Sequence, residues 1–182
     1  KVLTIRPGLI VGPHDHTGRF TYWPVRVRDG GDILAPATPD APTQMIDVRD
    51  LAQWMVRLIE AKQMGIYNAT GPAEPLTIGD MLATCKDVSG SDAHFVWVDD
   101  AFLMEQEVAP TRDLPQWVPA EMNSIFTISV QKAVDSGLTF RPLADTVRDT
   151  LAWVDEDESR LDTTGLTRER EQELLSLYQD HQ

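Results

Sequence analysis

The residues able to do chemistry gather near the start of the chain. His14-Asp15-His16 sets two imidazoles around a carboxylate, and such a set can offer nitrogen and oxygen ligands to a metal. No third strong ligand follows nearby, so no metal site is assigned. The segment reads instead as a loop that faces a substrate or simply meets solvent. Phe20, Tyr22 and Trp23 could wall an apolar pocket, or pack a short helix onto the body, which is the reading preferred for Trp23. Gln44 and Asp47 could approach a cleft from a short strand, and Asp47 also suits the N-cap of the helix that follows. Pro7, Gly8 and Leu9 close an apolar run at the carboxyl end of a strand, the place where open α/β sheets bind ligands. Leu9, His14, Asp15, Phe20, Tyr22 and Gln44 are the candidate substrate contacts. Cys85 lies on the apolar face of its helix and reads as a buried, inert thiol. His94 opens a strand with no partner in sequence and is given no role.

The elements that must position these residues follow from periodicity. Residues 2–11 read as a strand turning at Gly12-Pro13, and its β-branched start is expected to be buried on both faces. A buried parallel strand needs neighbours on each side, so the chain is read as the C-terminal part of a longer protein. Residues 21–29 form a short helix that tolerates Pro24 in its first turn and stops at Gly30-Gly31. Short strands are expected at 33–35 and 43–46, around a proline-rich loop. Leu51, Trp54, Met55, Leu58 and Ile59 make a helical stripe over 48–62. A strand at 66–69 closes with Gly71-Pro72. Beyond it come a helix over 78–88 capped by Thr77, a strand at 94–98 and a helix over 101–108 capped by Asp99 or Asp100. An irregular loop holds Trp117. A helix over 130–136 capped by Ser129, a helix over 143–154, an acidic linker at 155–164 and a charged helix over 167–179 complete the chain. That last helix has Leu174, Leu175, Leu177 and Tyr178 to bury. Its 168–173 charge run reads as a wet face.

Composition bounds the function. The chain has 182 residues, 42% of them hydrophobic, and a net charge of −13. Its isoelectric point is about 4.5. No basic stripe is present, so nucleic acid is excluded as a general partner, and anionic membrane surfaces are disfavoured. No apolar run approaches the ~18–20 residues that a bilayer span needs. One cysteine cannot form an internal disulfide, which fits a cytoplasmic setting.

Arg6-Pro-Gly-Leu-Ile-Val-Gly-Pro13, Ile46-Asp-Val-Arg-Asp-Leu-Ala52 and Gly65-Ile-Tyr-Asn-Ala-Thr-Gly71 resemble, in this order, segments of the C-terminal half of extended short-chain dehydrogenases/reductases, the NAD-dependent epimerase/dehydratase family. Phe140-Arg-Pro-Leu-Ala-Asp-Thr-Val-Arg-Asp-Thr-Leu-Ala-Trp153 is similar to that family's closing helix. The resemblance implies an α/β fold. Residues 1–72 would form the last strands of a doubly wound, parallel, Rossmann-like sheet with an inserted substrate segment. Residues 73–182 would form a mostly helical substrate-binding subdomain. It also implies a missing N-terminal half that holds the Gly-rich dinucleotide loop and the Tyr-x-x-x-Lys pair. Neither is here. Tyr22, Tyr67 and Tyr178 are the only tyrosines, and none has Lys four residues on, so no cation stands ready to lower a phenol pKa from about 10.

The resemblance thus implies NAD or NADP in the parent protein, with Pro7, Gly8 and Leu9 beside the nicotinamide. No catalytic residue is expected in this chain, and no tight cofactor binding by it alone. Its partners would be a small-molecule substrate and the N-terminal half, and could include a second copy in a homodimer. Nucleotide-sugar members usually carry Asn where Leu9 stands and often Arg where Thr43 stands. Their loss, with the Pro-Gly-Leu-Ile-Val-Gly-Pro run, is closer to the reductase branch that includes dihydroflavonol-reductase-like proteins, and implies a less charged substrate. The alternative is a non-catalytic module that binds a small molecule or a protein.

Overall fold

The computed structural model describes residues 2–157 and 164–181. Residues 158–163 of the expected linker lie outside them. The first strand is two strands, β1 (Leu3–Pro7) and β2 (Leu9–Val11), broken at Gly8. They are followed by α1 (Tyr22–Arg28), β3 (Asp32–Pro36), β4 (Pro42–Thr43), β5 (Met45–Asp47), α2 (Val48–Glu60) and β6 (Gly65–Ala69). Next come β7 (Leu76–Thr77), α3 (Ile78–Ser89), β8 (His94–Val98) and α4 (Asp100–Glu105). A 3₁₀ helix (Ala120–Phe126), α5 (Gln131–Asp135), α6 (Leu143–Asp155) and α7 (Arg168–His181) end the order.

The pairing is mostly parallel and non-local. β1 runs beside β6, Leu3 opposite Gly65 and Pro7 opposite Ala69. β2 runs beside β5, and β3 beside β8. Only β4 and β7 are antiparallel among the described strands. Gly8 joins the first two pairs: its N–H reaches the Ala69 carbonyl at 3.0 Å, and the Met45 N–H reaches the Gly71 carbonyl at 2.9 Å. The expected burial of the first strand on both faces does not hold. Val2 is 71% exposed and Leu3–Ile5 are half-buried, because β6 is the one strand beside β1 among the described residues.

Two cores result. The larger joins α1, β3, β8, α3, α6 and α7 around Phe20, Trp23, Leu34, Leu82 and Leu174. The smaller lies between α2, β6 and α5, around Trp54, Leu58, Tyr67 and Leu138. Caps follow the local chemistry. Asp47 accepts from the Arg49 N–H, Thr77 and Asp80 form a reciprocal capping box, and Asp99 accepts from the Phe102 N–H. Ser129 does not cap α5. The helix starts after Val130 without a side-chain cap, and the Ser129 carbonyl is taken by Asn68 Nδ2. Leu177 stays exposed while Leu174, Leu175 and Tyr178 go inward, as the helical spacing of α7 requires.

Candidate functional site

Gly8 sits where the chain passes closest to the end of β6. A Cβ there would lie 2.6 Å from Thr70 Cβ, so only glycine lets β1 and β2 keep their ladders. Pro7 and Gly8 are exposed, and Leu9 packs partly against the larger core. We expect Gly8→Ala to cost about 1–3 kcal/mol through overpacking. Urea unfolding measures it, and an unchanged midpoint would show that this close approach is not needed.

After β2 the chain turns through Gly12. Asp15 Oδ1 accepts from the Thr17 N–H at 2.9 Å and from its hydroxyl at 2.6 Å, a side-chain-closed turn. His14 and His16 are exposed, and the His14 ring lies 5.6 Å from that of Trp153. Among the described residues no cluster of three or more His, Cys, Asp or Glu could hold a metal ion. Phe20 has no exposed surface, and Trp23 is equally buried with its indole N–H on the Pro115 carbonyl at 2.7 Å. Both therefore serve the core. Tyr22 stacks edge-on to Trp23, ring centres 4.9 Å apart. Burial, with the Glu171 charge adding to it, pushes the Tyr22 phenol well above its ordinary pKa.

Gln44 works as a backbone clamp. Its amide N–H donates to the Ile128 carbonyl at 3.0 Å, and its carbonyl accepts from the Ile128 N–H at 3.0 Å. Beside it opens a cavity of about 270 Å³ lined by Pro72, Leu76, Ile128 and Val134. Tyr22 lines a different cavity, of about 310 Å³, with Val25 and Leu166. The candidate residues are thus not brought to one spot. Tyr22 and Gln44 border separate hollows, and Leu9, His14 and Asp15 border neither. Thr43 is fully buried and donates its hydroxyl to Gln116 Oε1 at 2.9 Å, so that position faces the interior.

Sequence reasoning missed the strongest polar cluster. Asp47 accepts from Arg49 Nε at 2.9 Å, from Arg49 Nη2 at 2.7 Å and from the Thr146 hydroxyl at 2.8 Å. Asp50 accepts from Arg141 through its backbone N–H at 2.9 Å and through Nη2 at 2.8 Å. Arg49 also pairs with Asp149. The start of α2 is thereby locked to α6 and to the segment before it. The acidic pair at the helix start was a visible signal, but its partners lie about a hundred residues on. Burial by itself would raise the Asp47 pKa, but the Arg49 and Thr146 hydrogen bonds outweigh it and hold the carboxyl below the usual range. A depressed folded pKa gives stability that is present above the ordinary carboxylate value and lost as pH falls through the folded one. We expect the melting temperature to drop on acidification below about pH 4, with Asp47→Asn less stable at neutral pH and converging on the parent in acid. Parallel curves at every pH would contradict this.

No protein-family model matches the chain, and no curated protein matches it in sequence. Solved structures do match. The Bordetella bronchiseptica enzyme WbmH in complex with NAD⁺ aligns at a TM-score of 0.58 and 18% identity, over 85% of this chain and 45% of that one. UDP-glucose 4-epimerase from Thermus thermophilus, in complex with NAD, aligns at 0.55 and 18%, over 84% and 46%. RMD from Pseudomonas aeruginosa, complexed with NADPH, aligns at 0.55 and 15%, over 86% and 49%.

The chain shares its fold with part of these cofactor-bound enzymes. It spans about half the length of the structures it matches. The resemblance to the C-terminal part of the epimerase/dehydratase enzymes therefore holds at the level of fold, as a mixed α/β structure with short parallel sheet pieces. Among the described residues no helix is long and apolar enough to cross a membrane.

Proposed function

We propose that this chain is the substrate-facing portion of an NAD(P)-dependent oxidoreductase or epimerase and supplies the last strands of its doubly wound sheet. The observation that carries the reading is the parallel pair β1–β6 with a break at Gly8, in a chain that aligns with about half of each cofactor-bound enzyme. A β1 edge with no strand beside it among the described residues supports it. So do the exposed apolar residues Val2, just before β1, and Ile66 on β6, which suit contact with a nucleotide-binding half. In that arrangement residues 1–72 end the sheet, residues 73–182 carry the substrate lobe, and Pro7, Gly8 and Leu9 border the nicotinamide. NAD(H) or NADP(H) would accept or donate the hydride according to its oxidation state, and a Tyr–Lys pair elsewhere in the parent would handle the proton. His14, Asp15, Tyr22 and Gln44 belong to loops and helices of this portion, with Tyr22 and Gln44 at separate hollows, either of which could meet a substrate. The buried, internally bonded Thr43 and the apolar Leu9 favour a substrate without a phosphate to grip.

The test is an assay of the protein encoded by the complete reading frame. It should bind NAD(H) or NADP(H) and turn over a carbonyl substrate, while this chain alone does neither. A reading frame with no Gly-rich loop and no Tyr-x-x-x-Lys before this segment would remove the proposal.

A further inference from the structure

Thr21 is 2% exposed, and its hydroxyl has no hydrogen-bond partner. The hydroxyl of Tyr22 is also shut from solvent. It leans on the Leu166 backbone without reaching hydrogen-bond geometry. Interiors rarely leave such groups unpaired, because each forfeits the bonds it made to water. Both residues line the same cavity of about 310 Å³, at the lower end of the ~300–1,000 Å³ usual for small-molecule sites.

Val25 of α1 forms one apolar wall, and Gly165 and Leu166 form the other. Gly165 lies flat on the Tyr22 ring: a Cβ there would sit 2.8 Å from Tyr22 Cγ, and its φ of +98° is open to glycine. This second wall is tied at two points. The Thr164 hydroxyl donates to the Thr17 carbonyl at 2.7 Å, and the Gly165 N–H donates to the Arg112 carbonyl at 3.0 Å. It packs against the Tyr22 ring, and both hydroxyls are shut from solvent, so a guest seats as these ties yield.

The charges at the rim cancel. Arg26 is engaged by Glu171, Gly30 and Asp32, and Arg168 pairs with Glu171 at 3.2 Å and Asp29 at 3.6 Å. Two guanidinium groups thus face two carboxylates, and no unbalanced charge is left for an ionic ligand. A phenol held well above its ordinary pKa stays a donor at neutral pH.

We propose that the cavity between α1 and the segment before α7 binds an uncharged, largely apolar molecule through a carbonyl oxygen that accepts from Thr21 and Tyr22. The site is complete within this chain and stands whether or not a nucleotide-binding half exists.

Prodan, an uncharged fluorescent naphthyl ketone, is the probe. It should bind saturably, one per chain, with blue-shifted emission. Thr21→Val and Tyr22→Phe should each weaken it about tenfold, the worth of one hydrogen bond. Val25→Trp should abolish binding by filling the cavity. Thermal melts check folding. Thr21→Val is near-isosteric and removes an unpaired hydroxyl that makes no capping bond, so it should melt no lower than the parent. No saturable binding would mean that water fills the space, and overturns the proposal. So would prodan affinity unchanged in both Thr21→Val and Tyr22→Phe, or tighter binding of a sulfonated naphthyl probe than of prodan.

Discussion

Glu171→Ala is expected to cost about 3–5 kcal/mol and to free the C-terminal helix. The Glu171 carboxylate is almost wholly buried between α7, α1 and β3. It accepts from Arg26 Nε at 2.6 Å, from the Leu34 N–H at 3.1 Å and from Arg168 Nη1 at 3.2 Å. Burial pushes its pKa above the ordinary value even against these donors. Removing the carboxylate would leave the Arg26 charge uncompensated where water does not reach, and the Leu34 N–H without an acceptor. The effect should therefore exceed that of the exposed pair between Arg148 and Asp145, worth about 0–1 kcal/mol. Urea unfolding gives the magnitude, and hydrogen exchange over α7 shows whether that helix detaches first. Replacing Arg26 and Glu171 together by Met and Leu should recover only part of the loss, because the Gly30 and Asp32 carbonyls still lose their donor. A loss below about 1 kcal/mol for Glu171→Ala would show that the pair does not tie α7 to the body.

Trp54→Ala should cost a similar amount, about 3–5 kcal/mol. Trp54 is fully buried at the centre of the smaller core, packed edge-on against Tyr67 with ring centres 5.6 Å apart. Its indole N–H reaches the Ser136 hydroxyl at 3.2 Å, which binds α2 to the end of α5. Truncation removes the largest apolar volume of that core and leaves a cavity between α2, β6 and α5 that the short α5 is poorly placed to close. Trp54→Phe should lose much less, since it keeps most of the ring volume and gives up the hydrogen bond. If the two variants unfold at the same denaturant concentration, the packing term has been misjudged. Because this core underlies the β1–β6 pair, the damage should reach β1 and the Gly8 break that follows it as well.

Local chemistry was legible in the sequence, and distant pairing was not. Leu51, Trp54 and Leu58 of the α2 stripe go inward while Ile59, at the edge of that face, stays exposed. This stripe, the Asp47 and Thr77 caps and the glycine stops depend on neighbours within a turn or two, so residue spacing carries them. The parallel pairing of β3 with β8 links residues about sixty positions apart, and nothing in either strand names the other. Ser129 has the right type for a cap but sits one residue too early, because Val130 already closes the first turn. The 3₁₀ helix at Ala120–Phe126 follows a proline-punctuated loop whose composition hides it. Phe20 and Tyr22 are two residues apart and look alike as pocket walls. Only the packing decides that one is wholly enclosed while the other keeps a face on a cavity. Gln44 was visible as a polar residue near a sheet end, but its grip on the Ile128 backbone depends on a segment about eighty residues later.

If β1 is an inner strand of a larger parallel sheet, as proposed, its edge away from β6 is covered by a nucleotide-binding half in the complete protein. Amide hydrogen exchange over Leu3–Pro7, compared between this chain and the protein encoded by the complete reading frame, tests it most directly. The expected result is rapid exchange of the β1 amides that do not face β6 in the isolated chain, and strong protection of the same amides in the complete protein. Equal exchange in the two would contradict the account.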